Sequence, residues 1–217
     1  MKAATSGDER SRAINPLQRI PPHTVRHEVL PPDELAALLA WTLANEDALV
    51  ASKVGAHHVY SEKRNARSLY GPAPWKAGTS ERIAALVPGI LADLGMASFE
   101  MSRFEIEMVV YPDGGFIGRH HDTATGSARH KRDRVVTIVY YFHREPKGYS
   151  GGELRLSPRL APPEGEPQHV DLAPGQNMLI AFPSWALHEV LPIRIPSGDY
   201  ADSRFAINFW AQREVPE

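Results

Sequence analysis

From residue 99 onward the chain becomes a series of short β-prone runs broken by glycine and proline. Residues 104–111 open with apolar–polar alternation, and residues 134–142 (Arg-Val-Val-Thr-Ile-Val-Tyr-Tyr-Phe) are rich in β-branched and aromatic side chains. Runs at 151–156, 168–172, 177–182, 187–191 and 204–211 complete the series. Short strands at this spacing, separated by Gly/Pro turns, point to an antiparallel sandwich or barrel of jelly-roll type. The expected fold is therefore mostly β with flanking α: a double-stranded β-helix, or jelly-roll, core over 99–213.

The first part of the chain reads as support for that core. Residues 1–20 are polar and are expected to form a flexible tail. Pro21-Pro22 and Pro31-Pro32 bracket a short segment expected to lie at a sheet edge. Leu35, Leu38 and Leu39 recur at helical spacing after Asp33, a suitable cap. Ile83, Leu86, Val87, Ile90, Leu91 and Leu94 do the same after Ser80, with Gly95 as the stop. Pro88 is expected to kink or split that second helix. Residues 52–78 read as irregular, and their adjacent His57-His58 as solvated loop histidines. Residues 21–217 are taken as one domain, with 21–98 as helical or irregular support.

Composition excludes several function classes. The 217 residues contain no cysteine, so disulfide frameworks, thiolate nucleophiles and Cys-ligated zinc are impossible. A formal net charge of -2 gives no bulk attraction to nucleic acid or membrane. The first residues lack the apolar stretch of a secretory signal, and a cytoplasmic protein is expected. Oligomeric state is not readable.

Within residues 111–122 the chain carries His120-x-Asp122. On an extended strand, residues two apart share a face, so an imidazole and a carboxylate project into one space. A two-histidine, one-carboxylate set suits non-haem Fe(II) and leaves positions open for substrate and oxygen. His188, far along the chain on another β-prone run, supplies the missing histidine. His121 should face away, and His130, His143 and His169 should be solvated. At the last run, alternation puts Arg204, Ala206 and Asn208 on one face and Phe205, Ile207 and Phe209 on the other. A guanidinium facing the interior requires an anion, because burying it unpaired is costly.

These pieces, in order, resemble the prolyl-4-hydroxylase-type branch of the Fe(II)/2-oxoglutarate dioxygenases, which includes the hypoxia-factor prolyl hydroxylases and bacterial relatives. The resemblance is carried by Tyr111-Pro112, His120-x-Asp122, Arg134-Val135-Val136-Thr137, Tyr140-Tyr141, Gly151-Gly152-Glu153-Leu154, His188-Glu189-Val190-x-Pro192 and Arg204-Phe205-Ala206-Ile207-x-x-Trp210. It implies that His120, Asp122 and His188 bind Fe(II). It also implies that Arg204 and Tyr141 bind the far carboxylate of 2-oxoglutarate, with Thr137 nearby and Tyr111 lining the pocket. The family places its basic residue closer behind the second histidine than Arg204 stands, so residues 193–203 would carry an insertion, and Arg194 competes for the role. The implied reaction is O2-dependent hydroxylation of an unactivated carbon, with ascorbate as reductant in assays. Asp122 favours hydroxylation over halogenation, which dispenses with the carboxylate.

The implied substrate is a prolyl residue of a peptide or protein; the alternative is a free or modified amino acid or other small metabolite. Arg119, Arg134 and Trp185 are the candidates for the substrate side, although Trp185 also suits turn packing. The basic run Arg129, Lys131, Arg132 reads as a solvated loop, with a lid for a carboxylated substrate as the sharper reading. Outside this class stand a non-oxygenase metal-binding barrel, a zinc hydrolase and a purely structural jelly roll.

Overall fold

The computed structural model describes residues 15–52, 62–123 and 132–215. The expectations on His57, His58, Arg129, His130 and Lys131 lie outside the described residues. Among the described residues, fourteen strands and two α-helices follow one another. Before the core come β1 (Thr24–His27), α1 (Pro32–Ala44), β2 (Val50–Ala51), β3 (Arg64–Asn65), β4 (Arg67–Leu69) and α2 (Lys76–Asp93). The core holds β5 (Arg103–Tyr111), β6 (Phe116–His120), β7 (Arg132–Phe142), β8 (Ser150–Gly151), β9 (Leu154–Ser157) and β10 (Val170–Leu172). It closes with β11 (Met178–Pro183), β12 (Leu187–Val190), β13 (Ile193–Arg194) and β14 (Arg204–Glu214).

The strands form two principal antiparallel sheets. The major sheet has the order β1-β11-β7-β14-β5-β4-β2, and the minor sheet β10-β9-β12-β6-β3. A two-stranded ribbon, β13-β8, stands apart. Period-two alternation divides the major sheet into two faces. One face presents Ile138, Tyr140, Phe142, Phe205, Ile207 and Phe209 to the buried side chains of α1 and α2, among them Leu38, Ile83, Val87 and Ile90. The other presents Val139, Tyr141, Ile180 and Phe182 to Leu154 and Leu156 of the minor sheet. This is the mostly β, helix-buttressed jelly roll expected.

The helices depart from the sequence reading at their starts. Helix α1 begins at Pro32, with Pro31 as a cap that offers no side chain, and Asp33 falls in the first turn. Proline at the first helical position has a preset φ and lacks only an N–H that would be unpaired anyway, so it displaces Asp33 from the cap. There Asp33 and Glu34 face the positive end of the helix dipole. Helix α2 begins at Lys76, not Ser80, and runs through Pro88 without ending. Ile83, Val87, Ile90 and Leu91 are all buried on the sheet, and that packing outweighs the local cost of about 3 kcal/mol for an internal proline. Gly95, at φ +64, closes the helix as expected. The Met96 amide bonds to Leu91 O and the Gly95 amide to Ala92 O, the paired bonds of a Schellman cap.

β1 is one edge of the major sheet, as the prolines around it implied, while two other places are more ordered than expected. Within the region read as irregular, β3 and β4 extend both sheets. His143, expected to be solvated, is buried: its ring meets Tyr149 edge-on, and Nδ1 lies 2.8 Å from Arg144 O. His169 is exposed, 3.8 Å from an Asp171 oxygen.

Candidate metal centre

The register of the minor sheet brings the two histidines together. β12 pairs with β6 so that His188 lies directly opposite His120. Their ring centroids are 4.1 Å apart. β6 ends at His120, so Asp122 is not on the strand as the two-residue spacing suggested. It sits just beyond, anchored by its amide, which donates to Ser184 O at 2.9 Å. Asp122 Oδ1 is then 3.6 Å from His120 Nε2, and Oδ2 is 3.8 Å from His188 Nε2. One ligand atom from each of the three residues lies within 4.8 Å of the others, and this is a group able to hold a metal ion.

Hydrogen bonds prepare the donor atoms. His120 Nδ1 lies 2.8 Å from Gly118 O, and His188 Nδ1 lies 3.0 Å from Ala186 O. A carbonyl only accepts, so each Nδ1 carries the proton and each Nε2 keeps a lone pair facing the cluster. Burial, reinforced by the neighbouring His188 imidazole, pulls the His120 pKa down to about 4 against the pull of Asp122. That imidazole is therefore neutral at neutral pH, the state in which it ligates. Burial pushes the Asp122 carboxyl up, but the two imidazoles and the hydrogen bonds from Trp210 and Thr137 outweigh it and hold the group below the usual range. Thr137 Oγ1 donates to Asp122 Oδ2 at 2.7 Å, and Trp210 Nε1 donates to the same oxygen at 2.8 Å. With Oδ2 engaged twice, Oδ1 is the oxygen left with open lone pairs.

Around this cluster opens a cleft of about 1240 Å³. Arg204 forms part of its wall while remaining only 1% exposed. Its guanidinium carbon lies 4.8 Å from the Tyr111 ring centroid and 4.7 Å from that of Tyr141. Among the described residues, none of its three nitrogens has a hydrogen-bond partner, nor does the buried Tyr141 hydroxyl. Burial raises the Tyr141 pKa well above that of a free phenol despite the opposing pull of Arg204, so Tyr141 is a hydroxyl donor. Burial raises that of Tyr111 too. The fit of Arg204 depends on Gly152, whose φ is +72 and where a Cβ would lie 2.8 Å from Arg204 Cδ. Guanidinium and phenol donors without an acceptor, buried at the wall of a cleft, have the donor geometry that suits a carboxylate.

The remaining expectations divide. Thr137 acts on the Asp122 carboxylate rather than on the Arg204 end. Arg194 is exposed on β13, beside the buried Ile193, and does not line the cleft. Arg119 and Arg134 both line it; Arg119 is 57% exposed on its side chain and lies 3.6 Å from Glu189. Arg134 stacks 3.9 Å from the Trp210 ring centroid and donates to both oxygens of Glu105. Trp185 packs against the minor-sheet core and does not line the cleft. His121 is half-buried at the cleft, with Nδ1 3.1 Å from Thr123 Oγ1. Sequence reasoning passed over Trp210, although the alternation that turns Arg204 and Asn208 inward turns Trp210 inward as well.

Comparison with known proteins identifies the arrangement. Residues 106–212 match the 2OG-Fe(II) oxygenase superfamily, a stretch that contains all three clustered ligands and Arg204. Over 138 residues the chain is 33% identical to an uncharacterised PKHD-type hydroxylase, sll0191, of Synechocystis. That alignment spans 62% of this chain and 45% of the length of the relative. The fold is shared with a Pseudomonas putida prolyl-4-hydroxylase at TM-score 0.64 and 23% identity, covering 90% of this chain and 94% of that one. It is also shared with a Trichoplax adhaerens prolyl hydroxylase solved with a hypoxia inducible factor peptide, at TM-score 0.62 and 17% identity, covering 87% and 82%.

Proposed function

We propose that this chain, which belongs to the 2OG-Fe(II) oxygenase superfamily through residues 106–212, hydroxylates an unactivated carbon of a prolyl residue in a peptide or protein. The observation that carries the oxygenase reading is the pairing, in one cleft, of a metal-competent His120–Asp122–His188 cluster with the unsatisfied Arg204 guanidinium. A zinc hydrolase or a structural barrel has no use for a buried carboxylate receptor. The prolyl substrate is supported by the shared fold of the prolyl hydroxylases and by the motif series of residues 111–210.

The residues fit the group the reading requires. His120 and His188 present Nε2 lone pairs, and Asp122 presents Oδ1. Thr137 and Trp210 grip Oδ2, so the carboxylate keeps one orientation when a metal arrives or leaves. Arg204 offers its planar fork to the distal carboxylate of 2-oxoglutarate, and the Tyr141 hydroxyl donates to the same group. When bound, Fe(II) with 2-oxoglutarate supplies the oxidation, in which O2 is consumed, succinate and carbon dioxide are released, and one oxygen atom enters the substrate. The buried positions of Arg204 and Tyr141 would keep bulk water from the carboxylate they hold.

The test is release of succinate from 2-oxoglutarate with Fe(II) and ascorbate, comparing the wild type with His120→Ala. Turnover that depends on His120 supports the oxygenase, and wild-type turnover no higher than that of the variant removes it. Screening proline peptides beside free amino acids then separates the peptidyl substrate from a small metabolite.

A further inference from the structure

The inner face of the major sheet is a ladder that runs outward from Arg204. Along β14 the residues on this face are Arg204, Ala206, Asn208, Trp210 and Gln212, and cross-strand pairing gives each a neighbour on β5. Arg204 pairs with Tyr111, the Asn208 rung with Glu107, Trp210 with Glu105 and Gln212 with Arg103. On the other side Trp210 pairs with Thr137 and, after a register shift, Gln212 pairs with Arg134 and Glu214 with Arg132. The carboxylate receptor thus occupies the deep rung. The grip on Asp122 comes from the Trp210 rung. Beyond Trp210, Gln212 with Arg103, Arg134 and Arg132 on the neighbouring strands continues the cleft lining.

Those outer rungs are basic. Arg134 is fixed by Glu105, which also accepts from Gln212 Nε2 at 2.6 Å, so that carboxylate is fully used. Arg103 and Arg132 stand on either side of β14, line the cleft, and form no ion pair among the described residues. Glu214, the cross-strand neighbour of Arg132, does not close onto it. With Arg204 and Asp122 set aside, the described cleft lining holds six Lys and Arg side chains against three Glu, whereas the whole chain carries a net charge of -2. Positive charge gathered at one cleft of a slightly acidic protein focuses the field there and draws in anionic groups.

We infer that the substrate is an acidic peptide, with Asp or Glu side chains near the target residue seated on Arg103 and Arg132. This rests on the oxygenase reading and adds a charge class to its substrate. Three glutamates in the same cleft lining, Glu62, Glu105 and Glu107, oppose a continuous phosphate backbone and suit discrete carboxylates placed between them.

The experiment uses the full chain loaded with Mn(II) and 2-oxoglutarate, and three fluorescent proline peptides of equal length: one acidic, one with those acids changed to amides, and one basic. Anisotropy on this protein gives their affinities, and succinate release, measured separately with Fe(II), ascorbate and O2 in place of Mn(II), gives their turnover. The acidic peptide should bind roughly tenfold more tightly than the amide form, as expected for two exposed ion pairs. The preference should shrink at high ionic strength, and the double variant Arg103→Glu, Arg132→Glu should abolish or invert it. Succinate release in the absence of peptide should be unchanged in that variant, which shows that it folds and that the site survives. Equal binding of acidic and amide peptides overturns the inference, as does a preference untouched by the double variant or tighter binding of a single-stranded oligonucleotide. If peptide-free succinate release is present but no peptide binds, the charge inference fails and the oxygenase reading stands. If succinate release is absent as well, the oxygenase reading itself fails.

Discussion

The two faces of β14 obey opposite rules. Toward the helices, Phe205, Ile207, Phe209 and Ala211 are all buried in one continuous apolar cluster with α1 and α2. Toward the cleft, the same strand carries Arg204 with three unpartnered nitrogens, Asn208, Trp210 donating to Asp122, and Gln212 donating to Glu105. One residue of displacement along the backbone separates a filled core from an unfilled site. Stability and function thus occupy alternate positions of one strand, and the strand positions the cleft accurately because its other face is fixed. The contrast also assigns a meaning to the orphaned atoms. A buried polar group without a partner costs free energy, so the cleft face holds Arg204 only at the expense of the core face.

The sharpest way to break this division is to cut the core face. Phe209 is fully buried and stacks with Phe104 at a centroid distance of 5.3 Å. Phe209→Ala should lower unfolding stability by about 3–5 kcal/mol, the range for a large buried aromatic, read from the denaturant midpoint. Well below the transition, its affinities for Mn(II) and 2-oxoglutarate should stay close to wild type. A parallel collapse of both affinities would show that the two faces are not separable. The counterpart cuts the cleft face. Arg204→Met should weaken 2-oxoglutarate binding by about 2–5 kcal/mol, measured by calorimetry on the Mn(II)-loaded protein. The same variant should unfold at a higher temperature than the wild type when no ligand is present, because it removes a buried, uncompensated cation. Lower stability in that variant would mean that Arg204 belongs to the core.

A smaller effect is expected at Trp210, which serves both regions. It is the inward neighbour of Phe209, and it holds Asp122 Oδ2 through Nε1. Trp210→Phe keeps an aromatic surface beneath Arg134 and removes only the donor. A hydrogen bond to a charged group contributes about 1.5–3 kcal/mol, and with Thr137 still in place the loss should fall near the lower figure, roughly tenfold in Mn(II) affinity. Stability should change less than metal affinity. The reverse ranking would make Trp210 a packing residue.

Much of this division was readable before any coordinates. Alternation over residues 204–209 is local, so it separates Arg204 from Phe205 without knowledge of the partner strands. The β-prone runs and their turns imply an antiparallel sandwich for the same reason. What escaped depends on non-local pairing. That Trp210 reaches Asp122 follows from the Trp210–Thr137 rung and from the amide of Asp122 bonding to Ser184, and neither is written near Trp210 in the sequence. The row of Arg103, Gln212 and Arg134 depends on a register shift between Ala211 and Gln212 that no periodicity reveals. Pro88 does not split α2 as one of the two expectations had it, because the burial of Ile83, Val87, Ile90 and Leu91 outvotes local propensity.

The smallest expected effect concerns the segment between β12 and β14, where the sequence allowed two arginines for one role. Between His188 and Arg204 the structure places β13, a turn at Gly198 and a short helical turn at Tyr200–Asp202. That excursion is held from both sides: Asp113 accepts from the Ile195 amide at 2.8 Å, and Ser197 Oγ donates to Asp202 at 2.6 Å. Arg194 is carried outward on it, exposed and away from the cleft, while Ile193 and Ile195 beside it are buried. Alternation again sets the outcome, with the apolar neighbours turned in and the cation turned out. Arg194→Ala should therefore change unfolding stability by no more than about 0.5 kcal/mol, as for an exposed surface position. It should also leave the concentration of 2-oxoglutarate needed for half-maximal succinate release at the wild-type value. A rise in that concentration comparable to the effect of Arg204→Met would return the carboxylate receptor to the ribbon and leave the orphaned guanidinium of β14 without an explanation.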